Sequence, residues 1–106
     1  MVSQLIGLEE IRQAVGQVCA GRPIARVELF GSRAAGASHA SSDVDLLVEF
    51  DADAKIGLFE LGALREDLVE RLGVEVDILS RKAVERSRND IRRQSILSHT
   101  VSVYAR

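Results

Sequence analysis

Two aspartates separated by one residue, Asp43 and Asp45, open an apolar stretch of the chain and have the spacing best suited to chemistry. On a β-strand, side chains at i and i+2 project from the same face, with their Cα atoms about 7 Å apart. Carboxylate oxygens in this arrangement suit Mg²⁺, which usually takes one or two protein carboxylates together with substrate phosphates. The pair therefore predicts a magnesium site that handles a phosphate-bearing substrate.

A Gly-Ser turn precedes Asp43, with ten residues between Ser32 and Asp43, and supplies the second half of a phosphate-transfer site. Gly31 and Ser32 follow a strand-like run at residues 25–30 and lead into short residues compatible with a helix. Free backbone N–H groups and a hydroxyl in such a turn can hold a phosphate. The next residue, Arg33, is equally consistent with a phosphate clamp and with a solvated position at a helix start.

A third acid lies in a second strand-like run. In the run that Asp43 opens, residues 43–50, the apolar face consists of Val44, Leu46, Val48 and Phe50. Asp43 and Asp45 therefore lie on its polar face. Residues 74–79 show a similar alternation, with Asp77 on the polar side between two apolar residues. A two-metal site would use such an additional carboxylate. The alternative is a solvated strand face that carries ordinary acids.

These motifs together resemble a known family. The Gly-Ser turn, the ten-residue spacer, Asp-x-Asp and a later strand aspartate are similar to the minimal nucleotidyltransferases of the polymerase-β-like superfamily, over residues 27–79. The run at residues 42–48 is typical of the bacterial form. Many relatives carry a second arginine in the turn, where this chain has Ala35, so phosphate binding would lack the help of that side chain.

The resemblance implies roles for the residues that match its motifs. Asp43, Asp45 and Asp77 would be catalytic and would bind two Mg²⁺ ions, with Asp77 as our choice for activating the acceptor hydroxyl. The nucleotide would lie at Gly31 and Ser32. The reaction implied is attack of an acceptor hydroxyl on the α-phosphate of a nucleoside triphosphate, with loss of pyrophosphate.

The resemblance also implies a setting. ATP would be the donor and AMP the transferred group, and the acceptor would be a tyrosine of a helical HEPN ribonuclease toxin for which this chain is the antitoxin. Two alternatives stay open at this point. The chain could neutralise its partner by occupancy alone, without catalysis, or it could transfer a nucleotide to a small molecule such as an aminoglycoside.

Length and composition limit what else the sequence can encode. We expect residues 1–106 to form a single minimal domain, too small for the second lobe with which larger nucleotidyltransferases hold an acceptor. The acceptor platform must then come from a partner chain, from self-association into a homo-oligomer, or from the acceptor itself. There is no apolar stretch long enough to span a membrane and no export signal, so we expect a cytoplasmic protein.

Hydrophobic periodicity predicts the elements that position these residues. Apolar residues recur at helical spacing over residues 8–18 and again over residues 58–72, where Leu58 begins the stripe, and a glycine follows each stripe. Ser80 could cap a further helical stretch, and residues 101–104 suggest a closing edge strand. Together the runs predict an α/β (α+β) fold in which helices flank a small mixed β-sheet.

A basic segment stands out from the otherwise acidic chain. Residues 81–93 carry a net charge of +4, whereas the rest of the chain carries −6. This basic segment could attract an acidic protein surface, nucleotide phosphates or RNA, or it could be a solvated helix face. The chain has only four aromatic residues, which disfavours binding of nucleic acid.

Cysteine and histidine add little to the predicted chemistry. Cys19 has no second cysteine to pair with and lies among apolar residues, so we expect a packed thiol. His39 lies between the Gly-Ser turn and Asp43, and His99 follows a predicted helix. We place both histidines at the surface, because neither has a recognisable triad and a two-metal site needs no histidine.

Overall fold

The computed structural model describes residues 7–31 and 43–106. In chain order its elements are α1 (Leu8–Cys19), β1 (Ile24–Phe30), β2 (Val44–Phe50), α2 (Leu58–Leu72), β3 (Val76–Ser80), α3 (Arg81–Glu85), α4 (Asp90–Leu97) and β4 (Val101–Ala105). The strands form one sheet in the order β3-β2-β1-β4. Strands β2 and β3 are parallel, and the other pairs are antiparallel. This mixed sheet with helices on its faces confirms the predicted fold class, and β4 is the expected edge strand.

Helices α1 and α2 cover one face of the sheet. The apolar positions of alternating strand residues meet the apolar stripes of both helices, and the resulting core includes Ile11, Val15, Val27, Leu46, Val48, Leu64, Leu68 and Val76. The stripe predicted for α2 is only partly buried. Its first residue, Leu58, and the neighbouring Phe59 are each 89% exposed. The prediction that Leu58 belongs to the core stripe is wrong, because α2 contacts the sheet only from its middle onwards.

The short helices α3 and α4 lie over the opposite face. They bury Leu47 against Val84 and Ile96. Leu47 is only 1% exposed, although it shares a strand face with acidic residues. The sequence predicted one helical stretch after Ser80, and the structure has two helices with a break at residues 86–89. The Ser80 hydroxyl caps α3 as expected, accepting from the Ala83 N–H at 3.4 Å. The Asn89 side chain starts the second helix by accepting from the Arg92 N–H at 3.0 Å.

The remaining predictions about the described residues concern single side chains. The Cys19 thiol is buried, and burial raises its pKa to about 11, which confirms a packed rather than reactive thiol. His99 is exposed, as expected. No helix within residues 7–31 and 43–106 is long and apolar enough to cross a membrane.

Candidate active site

The three predicted catalytic acids lie at one end of one sheet face. Asp45 on β2 is the register partner of Asp77 on β3, and residues paired across a ladder point to the same side. Asp43 immediately precedes β2, where the Val44 N–H donates to the Glu75 carbonyl at 2.9 Å and extends the strand pairing. Asp43 and Asp77 are exposed, while Asp45 is half-buried. The register thus brings together acids that are more than thirty residues apart in sequence.

Gly31, the residue that follows β1, lies directly against Asp45. Phe30, the last residue of β1, pairs with Asp45, so Gly31 leaves the strand beside this carboxylate. Gly31 has a φ of +82°, in the left-handed region that favours glycine. A Cβ atom at this position would clash with the Oδ2 atom of Asp45 and would lie 3.3 Å from its Cγ. The sequence needs glycine here both for the backbone angle and for the close approach to the carboxylate.

Several predicted site residues lie outside the described part of the chain. Ser32 and Arg33, the other predicted nucleotide-binding residues, and His39 all fall between residues 32 and 42. Their assigned roles stay predictions. Among the described residues, the structure places the Gly31 backbone and the three acids at the same end of the sheet.

The donor set suits a hard cation only in part. Carboxylate oxygens are ligands that Mg²⁺ prefers, and Asp43 and Asp45 provide two of them at i and i+2. No group of three or more carboxylate, imidazole or thiol side chains within residues 7–31 and 43–106 is close enough to hold a metal ion. These residues therefore fit an ion whose remaining ligands come from water and substrate phosphates, which is how Mg²⁺ is commonly held.

Sequence reasoning missed the contacts that fix α3 over this face. Glu28 on β1 forms an ion pair with Arg81 at the start of α3, and its second carboxylate oxygen accepts from the Thr100 hydroxyl at 3.3 Å. Arg81 also pairs with Glu85, one turn further along α3, at 3.1 Å. Glu28 and Arg81 are 53 residues apart, so no local pattern could have predicted their contact.

A large cleft on the described part of the chain lies away from the acids. It has a volume of about 580 Å³ and lies beyond the far end of β2, beside Glu49 and Phe50. Arg26 forms two hydrogen bonds to one oxygen of Glu49, at 3.1 and 2.8 Å, so these two charges of the cleft are neutralised within the protein. The geometry of the acids, rather than cleft size, identifies the candidate site.

Comparison with known proteins gives matches along nearly the whole chain. A family model for the nucleotidyltransferase domain matches residues 9–103. A candidate protein adenylyltransferase of Methanocaldococcus jannaschii is 30% identical over 98 residues, which are 92% of this chain and 99% of that protein.

Solved structures give the same picture of the fold. The structure of a candidate minimal nucleotidyltransferase is 33% identical, with a TM-score of 0.67 over 91% of this chain and 95% of the other. The complex of a tri-AMPylated HEPN toxin with an MNT antitoxin from Shewanella oneidensis matches with a TM-score of 0.65, over 94% of this chain and 74% of the matched chain. That similarity is at 15% identity and shows the fold alone.

Proposed function

Because this chain belongs to the nucleotidyltransferase domain family, we propose that it is an Mg²⁺-dependent adenylyltransferase that moves AMP from ATP to a hydroxyl group of a partner protein. The observation that carries the proposal is the pairing of Asp45 with Asp77 beside the Gly31 backbone. This pairing gives one strand end a carboxylate on the nucleotide side and a carboxylate on the acceptor side. No other end of the described sheet combines two paired acids with a glycine turn.

Each residue has a separate task in this reaction. Asp43 and Asp45 would hold Mg²⁺, and the ion when bound would supply positive charge to the phosphate oxygens. The Gly31 backbone, with Ser32 and Arg33 as predicted further contacts, orients the triphosphate beside Asp45. Asp77, exposed at the acceptor side, accepts the proton of the attacking hydroxyl.

The step itself is an in-line displacement. The acceptor oxygen forms a bond to the α-phosphorus of ATP as the bond from that phosphorus to the bridging oxygen breaks. Pyrophosphate leaves with the electron pair of the broken bond, and the hydroxyl proton passes to Asp77. The products are an adenylylated hydroxyl and pyrophosphate, so no oxidant or further reactant is required.

The choice of ATP and of a protein acceptor has its support in the relatives. The Methanocaldococcus jannaschii protein is named for protein adenylylation, and the Shewanella oneidensis complex contains an AMPylated HEPN toxin bound to its antitoxin. We therefore propose that the acceptor is a tyrosine of a HEPN-family toxin and that this chain acts as the antitoxin. Residues 1–106 would act as a single domain, to which the partner would bring the acceptor tyrosine.

The decisive experiment separates transfer from inhibition by occupancy. The protein encoded beside this chain's gene is incubated with this protein, ATP and Mg²⁺, and both are then separated under denaturing conditions. We expect the refolded partner to carry the mass of one or more adenylyl groups and to remain inactive. The Asp43→Asn/Asp45→Asn variant should bind the partner without inactivating it. Full inhibition by that variant, with no change in the partner's mass, would overturn the proposal.

A further inference from the structure

We propose that the surface of α3 and α4 beside Asp77 receives the acceptor, and that the acceptor is an acidic protein segment whose tyrosine ring packs in a pocket between β3 and these helices with its hydroxyl toward Asp77. The inference rests on the proposed function in one respect, the assignment of Asp77 to the acceptor side. Docking of the acidic segment is a separate property, and it can be measured without nucleotide or metal.

The pocket lies next to Asp77 along β3. Its volume is about 180 Å³, and its lining includes Leu79, Ala83, Val84, Ile96 and Arg92. Leu79 is two residues after Asp77 on the same face of β3, so their Cα atoms lie about 7 Å apart. Pockets for drug-sized ligands start at roughly 300 Å³, so this smaller, mostly apolar space suits a single side-chain ring rather than a whole nucleotide.

The strand order places this pocket on the acceptor side. Strand β2 lies between β1 and β3, so Gly31 adjoins Asp45 from one direction and Asp77 adjoins it from the other. With the triphosphate at Gly31, an attacking hydroxyl must approach from β3. Helix α3 follows β3 directly, and it carries two residues of the pocket wall, Ala83 and Val84.

Basic side chains on α3, α4 and the turn between them are available to a partner. Within the described part of the chain, Arg81 forms an ion pair with Glu28. Arg93 forms an ion pair with Asp90 at 2.7 Å and donates a hydrogen bond to the Ser87 carbonyl at 2.6 Å. Four other basic side chains on α3, α4 and the turn between them are exposed and form no hydrogen bond or ion pair with any described residue: Lys82, Arg86, Arg88 and Arg92. Arg92 lines the pocket, and with Arg86 and Arg88 it defines a displayed basic surface on a protein whose net charge is −2, whereas Lys82 lines the larger cleft beside Glu49.

An exposed isoleucine adds apolar area to this basic surface. Ile91 is 84% exposed at the first turn of α4, with Arg88 and Arg92 near it in sequence. An apolar centre with a charged rim is the usual anatomy of a protein interface. Single-stranded nucleic acid would instead need stacked aromatic side chains, and neither α3, α4 nor the turn between them contains one. The occupant that fits is therefore an acidic protein segment.

Docking is tested with fluorescent peptides in low salt, without ATP or metal. We compare a peptide in which glutamates flank one tyrosine with the same peptide flanked by lysines, and we measure fluorescence anisotropy. We expect only the acidic peptide to bind, and the Arg88→Glu/Arg92→Glu variant to weaken binding by about tenfold or more. Lys55→Glu, a charge reversal in the exposed loop after β2, is the control and should leave binding unchanged.

The pocket is tested by filling it. Ala83→Leu should reduce both binding and adenylylation of the acidic tyrosine peptide while the affinity for Mg²⁺ and ATP stays unchanged. The control is Ala63→Leu, the same exchange at an exposed position of α2 on the other face of the sheet. An acidic peptide with phenylalanine in place of tyrosine should bind but accept no AMP.

The outcomes distinguish the two proposals. Each of four results would overturn the docking site. Two concern the peptides: equal binding of the acidic and basic peptides, or no binding of the acidic peptide. The other two are equal losses of binding in the charge-reversal variant and its control, and tighter binding of a single-stranded RNA than of the acidic peptide. These results would leave the proposed function intact if Mg²⁺ and ATP still bind through Asp43 and Asp45. Specific docking in a protein that transfers no AMP would instead retain the docking site and refute the proposed function.

Discussion

At the scale of single residues, the contact between Gly31 and Asp45 is the most constrained part of the site. The spacing of Gly31, Asp43 and Asp45 could be read from the sequence, because side-chain alternation on a strand is a local property. The clash that a Cβ at Gly31 would make could not, because it depends on how β1 and β2 pair. The sequence likewise does not show that Asp45 and Asp77 are register partners, because the register of two parallel strands depends on how the connecting helix packs.

The first prediction tests this contact with Gly31→Ala. The added methyl group would displace the Asp45 carboxylate, and a misplacement of about 1 Å at a reacting site can cost on the order of a hundredfold in rate. We expect a loss of that size in adenylyl transfer, measured as AMP incorporated into the partner.

Gly21→Ala is the matched control for the backbone strain. Gly21 has a φ of +81°, nearly that of Gly31, and a Cβ there would meet no atom within 4 Å. Both variants should lose about 1–2 kcal/mol of unfolding free energy from the left-handed backbone. Only Gly31→Ala should lose activity beyond that loss of stability, and equal activities of the two variants would show that the close approach does not matter.

At the scale of elements, the helices after β3 show where sequence patterns stop being informative. Helices α1 and α2 could be predicted because their stripes are long and end at glycines. Helices α3 and α4 are 5 and 8 residues long, so periodicity alone could not separate them. The break between α3 and α4 is explained by the Asn89 cap, which the structure shows and periodicity does not. The exposure of Leu58 likewise depends on where α2 lies on the sheet.

The second prediction concerns the start of α4. Asn89→Ala removes the side-chain oxygen that accepts from the Arg92 N–H, and loss of such a cap costs about 1 kcal/mol. We expect a decrease of that size in the unfolding free energy measured in urea. Asn89→Asp keeps an acceptor at this position and should recover most of the loss. Failure of Asp to do better than Ala would argue against the cap.

At the scale of the whole molecule, the ion pair between Arg81 and Glu28 joins the layer of α3 and α4 to the sheet. Arg81 opens α3, and Glu28 belongs to a central strand; their side chains are 22% and 14% exposed. The pair fixes α3 above the same face that carries the three acids. The overall fold class and the predicted edge strand followed from the sequence, whereas this long-range link did not, because it joins two ordinary surface-type residues that are distant in the chain.

The third prediction tests that link with Arg81→Met. The change leaves a largely buried carboxylate with the Thr100 hydroxyl as its remaining hydrogen-bond partner among the described residues, which should cost about 1–3 kcal/mol of unfolding free energy. Arg26→Met breaks a more exposed pair, with Glu49 on the neighbouring strand, and should cost about 1 kcal/mol or less. Denaturation curves measured side by side check the difference, and equal costs would mean that the Glu28 pair does not hold the two layers together.

The central claim, transfer of AMP through Asp43 and Asp45, is tested most directly by following the label of ATP into the partner protein. With Mg²⁺ present, label at the α-phosphate should become covalently attached to the partner, and label at the γ-phosphate should leave as pyrophosphate in equal amount. Asp45→Asn keeps the shape of the side chain but loses its charge, so the variant should fold normally, as judged by circular dichroism, and attach no label. Attachment of the γ-label, or attachment of the α-label by Asp45→Asn at the unaltered rate, would contradict the account.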